Sequence, residues 1–205
     1  MFRPLSLAIA LACTLTLGHA ASAQEYLQIK LKSGVVTIEL FDDIAPNHVA
    51  RVKKLAKGGA YDGIAFHRVI PGFMTQTGDV QYGKLKSDGS VSSRAGFGGS
   101  KLADLRAEFS EIKFRRGVVG AARGGGNPDS ANSQFFIMLE DKLWMNDPRD
   151  ARTFYTVWGC VLDGIEHVDN IKTGDPQSGS VKPPVDGMIK VTVTNKAPVG
   201  GSCRP

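Results

Sequence analysis

Cysteine is scarce in this chain: 205 residues contain three. No C-x-x-C and no Cys/His spacing suited to zinc occurs, so neither a structural nor a catalytic metal site is expected. A G-x-S-x-G elbow is missing too. Ser133 lies in a strand-like run and Cys160 in an apolar one, where inert packing is the default. The glycine-rich "RGGGNPDSAN" lacks the Lys-Ser/Thr of a phosphate loop and runs into a strand rather than a helix. These absences exclude nucleophilic hydrolases, metalloenzymes and nucleotide-binding proteins, and no cofactor is expected. The four histidines have no partners at ligand spacing. His48 falls on the polar face of a helix, His167 stands alone, and His67 reads as a structurally satisfied residue beside a strand.

An apolar run of the roughly 20 residues needed to span a bilayer is also missing. "MFRP" is a short basic start, "LSLAIALACTLTL" is apolar, and "GHAASAQ" contains an A-x-A pattern. Residues 1–23 therefore read as a secretory signal peptide cut after Ala23, and the mature protein as periplasmic or secreted, with no membrane partner. Residues 24–196 form one domain, and 197–205 a tail that lies on the surface. The net charge of +5 is scattered. Its densest knot, "KFRR" at 113–116, has one aromatic and no repeat, so no nucleic-acid partner is expected. Cys13 leaves with the leader. An oxidising compartment lets Cys160 and Cys203 pair, and the alternative is two separate thiols.

The 42% hydrophobic content is ample for one core. Tyr26 to Phe41 alternates apolar and polar residues about Ser33-Gly34, a hairpin signal. "APNHVARVKKLAKGG" follows, with Pro46 at a helix start, Val49, Val52, Leu55 and Ala56 on one face, and Gly58-Gly59 at its end. Short strand-like runs come next: "IAFHRVI", "FMTQTG", "GVVGAA", "SQFFIML" and "FYTVWGCV". A second helix is expected over Ile165 to Thr173, and a last strand at Met188 to Asn195. Tyr82 to Ser100 reads as an exposed loop. Many short strands with only two helices argue for a mainly β, closed antiparallel barrel.

One stretch resists both a core and a loop reading. "FHRVIPGFMTQTGD" sets Arg68 and Gln76 among Phe66, Val69, Ile70, Phe73 and Met74. A packed core has little use for the first two, and a solvated loop has little use for the others. Taken in order, this stretch, "GVVGAAR", "NSQFFIML" and "TFYTVWGCV" resemble the signatures of the cyclophilin-type peptidyl-prolyl cis-trans isomerases, and the overall look is similar to the exported, periplasmic bacterial branch. The resemblance runs from Leu27 to about Thr194. It implies an eight-stranded antiparallel barrel capped by two helices, with an active groove on its outer wall. By resemblance, Arg68 is a catalytic donor and Gln76 holds it and the substrate backbone. Phe73, Met74 and Phe136 wall a proline pocket, Ala122 lines the groove, and Trp144 and Met145 form its rim. Tyr155 falls where many members carry a histidine.

Two further departures stand out. Arg123 replaces a polar amide, and "RGGGNPDSANSQ" is longer than its counterparts by about one residue, which leaves the register between Arg123 and Ser133 open. The expected partners are proline-containing unfolded or extended polypeptides, with cyclosporin as an inhibitor. The expected function is rotation about X-Pro bonds to assist the folding of exported proteins. A chaperone or peptide-binding module of the same fold, with incidental isomerase activity, is the alternative.

Overall fold

A computed structural model describes residues 24–147, 153–196, 198 and 202–204. The expected signal peptide lies outside them. Ten strands and two helices are described: β1 Tyr26–Lys30, β2 Val35–Leu40, α1 Pro46–Lys57, β3 Ile64–Ala65, β4 Arg68–Ile70, β5 Met74–Thr77, β6 Val118–Ala121, β7 Phe135–Met138, β8 Val157–Asp163, α2 Ile165–Asp169, β9 Gly187–Met188 and β10 Lys190–Thr194. Eight strands make one antiparallel sheet in the order β10-β1-β2-β8-β6-β7-β5-β4, and β3 pairs with β9 apart from it.

The expected closed barrel is not what forms. The sheet is an open, curled half-barrel whose edge strands β10 and β4 do not pair. "IAFHRVI" breaks at Phe66–His67 into two short strands, and the first goes to β9 instead of continuing the ladder. The free edge of β4 is taken by the turn at 174–180: Val69 N–H donates to Gly179 O at 2.8 Å, and Gly174 N–H donates to Val69 O at 2.9 Å. That turn also explains why α2 stops at Asp169, short of the expected Thr173. The chain must leave the helix to reach β4.

Alternation along the strands builds two apolar clusters. Ile38, Leu40, Val69, Val119, Phe135, Ile137 and Trp158 face α1, whose Val49, Val52, Leu55 and Ala56 complete the main core. Phe41, Met74, Val118, Phe136, Met138, Val157 and Cys160 form a second cluster with Phe114 and Met145. Trp158 and Cys160 belong to different clusters although they are two residues apart, which a regular strand forbids. A register shift between Val119 and Gly120, where β6 pairs with β8, supplies the change of face.

His48 corrects the expectation of a polar position. It sits four residues before Val52 and seven before Leu55, on the buried stripe, and is 2% exposed. Ala45 offers no side-chain cap to α1. Glu108 acts instead from a distant loop, accepting Asn47 N–H at 3.1 Å and His48 N–H at 3.0 Å, while His48 Nδ1 lies 2.6 Å from its second oxygen. Burial holds the His48 pKa below its ordinary value, against the pull of Glu108. For Glu108, burial pushes upward, but the hydrogen bonds from His48 and Asn47 outweigh it and the net shift is down.

Of the expected tail, residues 202–204 are held against the sheet. Cys203 is bridged to Cys160 with a Cα–Cα distance of 6.1 Å. Beside the bridge, Ser202 Oγ donates to the Glu39 carboxylate, as do Cys203 N–H and Arg204 Nε, the last two at 3.0 Å. Arg204 also grips Asp43 at 2.7 Å. Glu39 points to the face of β2 that carries Phe41, and the tail satisfies and buries it to 4% exposure.

Both arrangements are open to measurement. Two depressed pKa values mean that the stabilisation by His48 and Glu108 is complete above about pH 6.5 and is lost on acidification, as each folded-state pKa is crossed from above. Urea unfolding between pH 7 and pH 4 should show stability falling with pH, and more shallowly in His48→Gln; parallel profiles would refute the assignment. The 43-residue separation makes the bridge worth about 4 kcal/mol in the chain-entropy model. Cys203→Ser should lower the urea midpoint accordingly, and an unchanged midpoint would show that the tail contributes nothing.

Candidate active site

The sequence motif around Pro71-Gly72 folds into the β4–β5 hairpin. Its register sets Arg68 opposite Gln76 and Ile70 opposite Met74. Gln76 then lies opposite Phe136 on β7, and Phe136 opposite Gly120 on β6. A period of two therefore delivers Arg68, Met74, Gln76 and Phe136 to one face, the face away from α1. A groove of about 280 Å³ lies there, lined by Arg68, Phe73, Met74, Gln76, Ala122, Arg123, Phe136, Trp144, Met145 and Tyr155. All nine expected site residues line it, and the tenth is Arg123.

The walls are tightly held. Tyr155 meets Phe136 edge-on at 5.5 Å and Phe114 at 6.4 Å, and Phe114 stacks obliquely on Phe136 at 5.5 Å. A Cβ at Gly120 would collide with the Phe136 ring, so only glycine lets that ring lie flat on the sheet. Met74, Phe136 and Met145 are buried, while Trp144 is 56% exposed and packs on Phe73 at 6.2 Å. Tyr155 N–H donates to Asn146 Oδ1 at 2.9 Å, and Asn146 Nδ2 donates to Ile112 O at 3.1 Å. Asn146 sits at φ 56°, a left-handed value that asparagine tolerates. It joins the rim turn to the Tyr155 segment.

Arg68 donates from Nη1 to Gln76 Oε1 at 3.3 Å and from Nε to Ser178 O at 3.1 Å. Among the described residues no carboxylate pairs with it. Partial burial lowers its pKa, with Tyr155 pulling the other way, and a guanidinium remains charged throughout the physiological range. The result is a cation held by neutral acceptors against an apolar wall. Arg123 lies over the Tyr155 ring at 4.5 Å and donates to Phe154 O at 2.8 Å, so its charge is tethered to the groove wall.

Several contributors were not singled out in the sequence. Gln134 stands in the quoted "NSQFFIML", yet its role shows only in three dimensions: its Oε1 accepts Gln76 Nε2 at 2.9 Å. A second cavity, of about 380 Å³, continues the groove past Gln76, Ala122 and Arg123 to Gly96, Phe97, Gly98, Asn132 and Gln134. The end of the 82–100 loop, at 96–98, is thus a wall of the site, and the loop is only partly exposed. The extra length in "RGGGNPDSANSQ" turns outward, where a side chain at Gly125 or Gly126 would meet nothing. Ser130 Oγ accepts Gly124 N–H at 2.8 Å to close that loop, and Ala122 N–H donates to Gln134 O at 2.9 Å, which settles the register. The His67 ring nitrogens are buried and make no hydrogen bond of full geometry among the described residues, and burial lowers its pKa against the pull of Asp79, the Ala65 backbone and Gln134. Its ring faces Gly96, where a Cβ would come within 3.2 Å of it.

Elsewhere, a larger cavity of about 650 Å³ opens beside the disulfide, lined by Phe41, Ile112, Val118 and Cys203 among others. It shares no lining residue with the groove. Glu39 meets Cys160 and Cys203 there in a cluster with metal-ligand chemistry, but the bridge occupies both sulfurs and the tail occupies the carboxylate. The smaller groove sets a half-buried guanidinium, paired with no carboxylate among the described residues, against aromatic walls.

The family model for "Cyclophilin type peptidyl-prolyl cis-trans isomerase/CLD" matches residues 26–194. The chain belongs to the cyclophilin family. This cyclophilin is 51% identical over 175 residues, 85% of each chain, to a protein of Brucella suis biovar 1 (strain 1330) named "Probable peptidyl-prolyl cis-trans isomerase". It is 33% identical over 141 residues to "Peptidyl-prolyl cis-trans isomerase B" of Bacillus subtilis (strain 168), covering 68% of this chain and 85% of that one. Among solved structures it resembles a cyclophilin-type isomerase of Cryptosporidium parvum crystallised in the presence of the dipeptide Ala-Pro. The TM-score is 0.67 at 23% identity, over 82% of this chain and 98% of that one. That likeness speaks for the fold, and the sequence relatives speak for the activity. This cyclophilin is a peptidyl-prolyl cis-trans isomerase.

Proposed function

We propose that this cyclophilin turns X-Pro bonds in polypeptides exported from the cytoplasm, with Arg68 as the donor to the prolyl nitrogen. The observation that carries the reading is the position of Arg68: a guanidinium paired with no carboxylate among the described residues, facing a groove walled by Met74, Phe136 and Tyr155. The leader-like residues 1–23 and the Cys160–Cys203 bridge both suit an oxidising compartment outside the cytoplasm.

The chemistry needs no covalent step. An X-Pro amide resists rotation by about 18–20 kcal/mol because nitrogen and carbonyl are conjugated. Twisting the bond destroys that conjugation and leaves a lone pair on the prolyl nitrogen. A fixed donor aimed at that nitrogen binds the twisted state more tightly than either planar one, so binding energy becomes rate. Each tenfold takes about 1.4 kcal/mol, and a charge-assisted hydrogen bond in a water-poor groove is of that order or larger. In this reading Phe73, Met74 and Phe136 hold the proline ring, the Ala122 backbone lines the path of the peptide, and Gln76 holds Arg68 and the substrate backbone. Trp144 and Met145 form the rim. Tyr155 stands where a histidine is common, keeps a planar wall, and is itself stacked by Arg123.

Two measurements test this. Arg68→Ala should lower isomerisation of a proline tetrapeptide at least tenfold with little change in thermal midpoint, since the side chain gives up one neutral hydrogen bond to Gln76 and one to Ser178. Near-normal turnover would sink the mechanism and favour the peptide-binding alternative. The exposed indole of Trp144 can donate to a peptide carbonyl, so cyclosporin should inhibit, and Trp144→Phe should bind it more weakly by calorimetry. Equal binding would take Trp144 out of the ligand site.

A further inference from the structure

We infer that Asp79 and Gln134 are positioning residues for Arg68, acting through a directed relay that begins at the loop wall of the groove. The inference rests on the reading of Arg68 as the donor.

Asp79 lies two residues beyond the end of β5 and is fully buried. It makes no ion pair among the described residues. A carboxylate so deep needs donors, and it has four backbone N–H groups. Oδ1 accepts from Gln81 at 3.0 Å and Tyr82 at 2.8 Å, close in sequence. Oδ2 accepts from Gly96 at 2.7 Å and Gly98 at 3.0 Å, across 17 and 19 residues. A side chain at Gly98 would run into Asp79 and Tyr82, and Gly96 holds φ +98°, so glycine at both places lets the loop close on the carboxylate.

Pinning those N–H groups also aims the carbonyls of the same two residues. Gly96 O and Gly98 O both accept from Gln134 Nε2, at 2.9 and 2.7 Å. An amide nitrogen has two hydrogens, and both are now used. Gln134 Oε1 must therefore face the other way, where it accepts Gln76 Nε2 at 2.9 Å. That leaves Gln76 Oε1 to accept Arg68 Nη1 at 3.3 Å. Amide side chains can turn end for end, but backbone carbonyls cannot exchange roles with N–H groups. The direction of the whole relay is thus set where the loop meets Gln134. Reversing Gln134 would set its oxygen against two carbonyl oxygens. Reversing Gln76 would offer an N–H to a guanidinium that has only donors. Arg68 Nε is held independently by Ser178 O, so the relay orients the Nη1 edge.

The test uses Asp79→Asn, which puts a donor among donors, and Gln134→Glu, which keeps the acceptor toward Gln76 and removes both donors to the loop. Asp88→Ala, in the same long loop with only a local contact to Ser90, is the control. For a proline tetrapeptide we expect kcat to fall at least fivefold in both variants with KM within twofold of wild type, and no change in the control. In 15N-labelled protein the Arg68 Nη–Hη resonances, identified by their loss in Arg68→Ala, should shift or broaden in both variants. If Asp79→Asn does not fold, Gln134→Glu with a normal thermal midpoint carries the test. Unmoved resonances with unchanged kcat would overturn the inference, as would a rise in KM alone, which would make Gln134 a substrate contact. Should Arg68→Ala itself keep normal turnover, the donor reading fails first. Loss of activity in Arg68→Ala together with normal kcat in the other two would defeat the relay alone.

Discussion

Each central strand has to serve two apolar clusters at once, one on either face of the sheet, and nearly everything else follows from that constraint. Thr75, Ile137 and Val119 lie in one cross-strand row; Gln76, Phe136 and Gly120 lie in the next. Ile137 and Val119 belong to the core against α1, and Phe136 to the cluster beneath the groove. A slip of one residue in β5 would bury Gln76 and expose Thr75. Register is therefore strongly specified, and with it the spacing between a cation and an aromatic wall. The groove face needs no framework of its own because it is the reverse side of the main core.

That constraint also governs what could be read from the sequence. The β1–β2 hairpin, α1 with its apolar stripe, and the run from Phe66 to Asp79 all announce themselves locally, through alternation, a helix-start proline and turn glycines. The nine groove residues could be gathered because their motifs keep a recognisable order. Their cross-strand neighbours then follow from pairing. Gln134 was harder to see: a glutamine before two phenylalanines carries no local signal, and its hydrogen-bond partners lie 36, 38 and 58 residues away. His48 misled for a related reason. A histidine on a helix looks polar until Glu108, 60 residues on, is found beside it.

Closure of the barrel failed as an expectation because it depends on two residues. β3 is too short to declare itself within "IAFHRVI", and it is its departure to β9 that opens the sheet. The edge this leaves on β4 would be an invitation to pair with another chain. Here the 174–180 turn covers it, and the same turn brings Ser178 O to Arg68 Nε. Protecting the edge and anchoring Arg68 are one structural act. Gly179 belongs to it as well: at φ +78° it passes so close to the Arg68 and Ile70 side chains that a Cβ would strike both.

In the proposed reading, why Arg68 should be held in one place follows from the size of the task. No bond is made or broken, so the only lever is a difference in affinity between planar and twisted amide, and the two differ chiefly in where one lone pair points. A donor free to swing would follow the nitrogen in every state and discriminate among none. Arg68 is held at Nε by one backbone carbonyl and at Nη1 by one amide oxygen, both neutral. A carboxylate in either place would hold it more firmly but would also spend its charge before the substrate arrives. Neutral anchors fix the geometry and leave the field of the cation available to a substrate in the groove, which Met74, Phe136 and Tyr155 line.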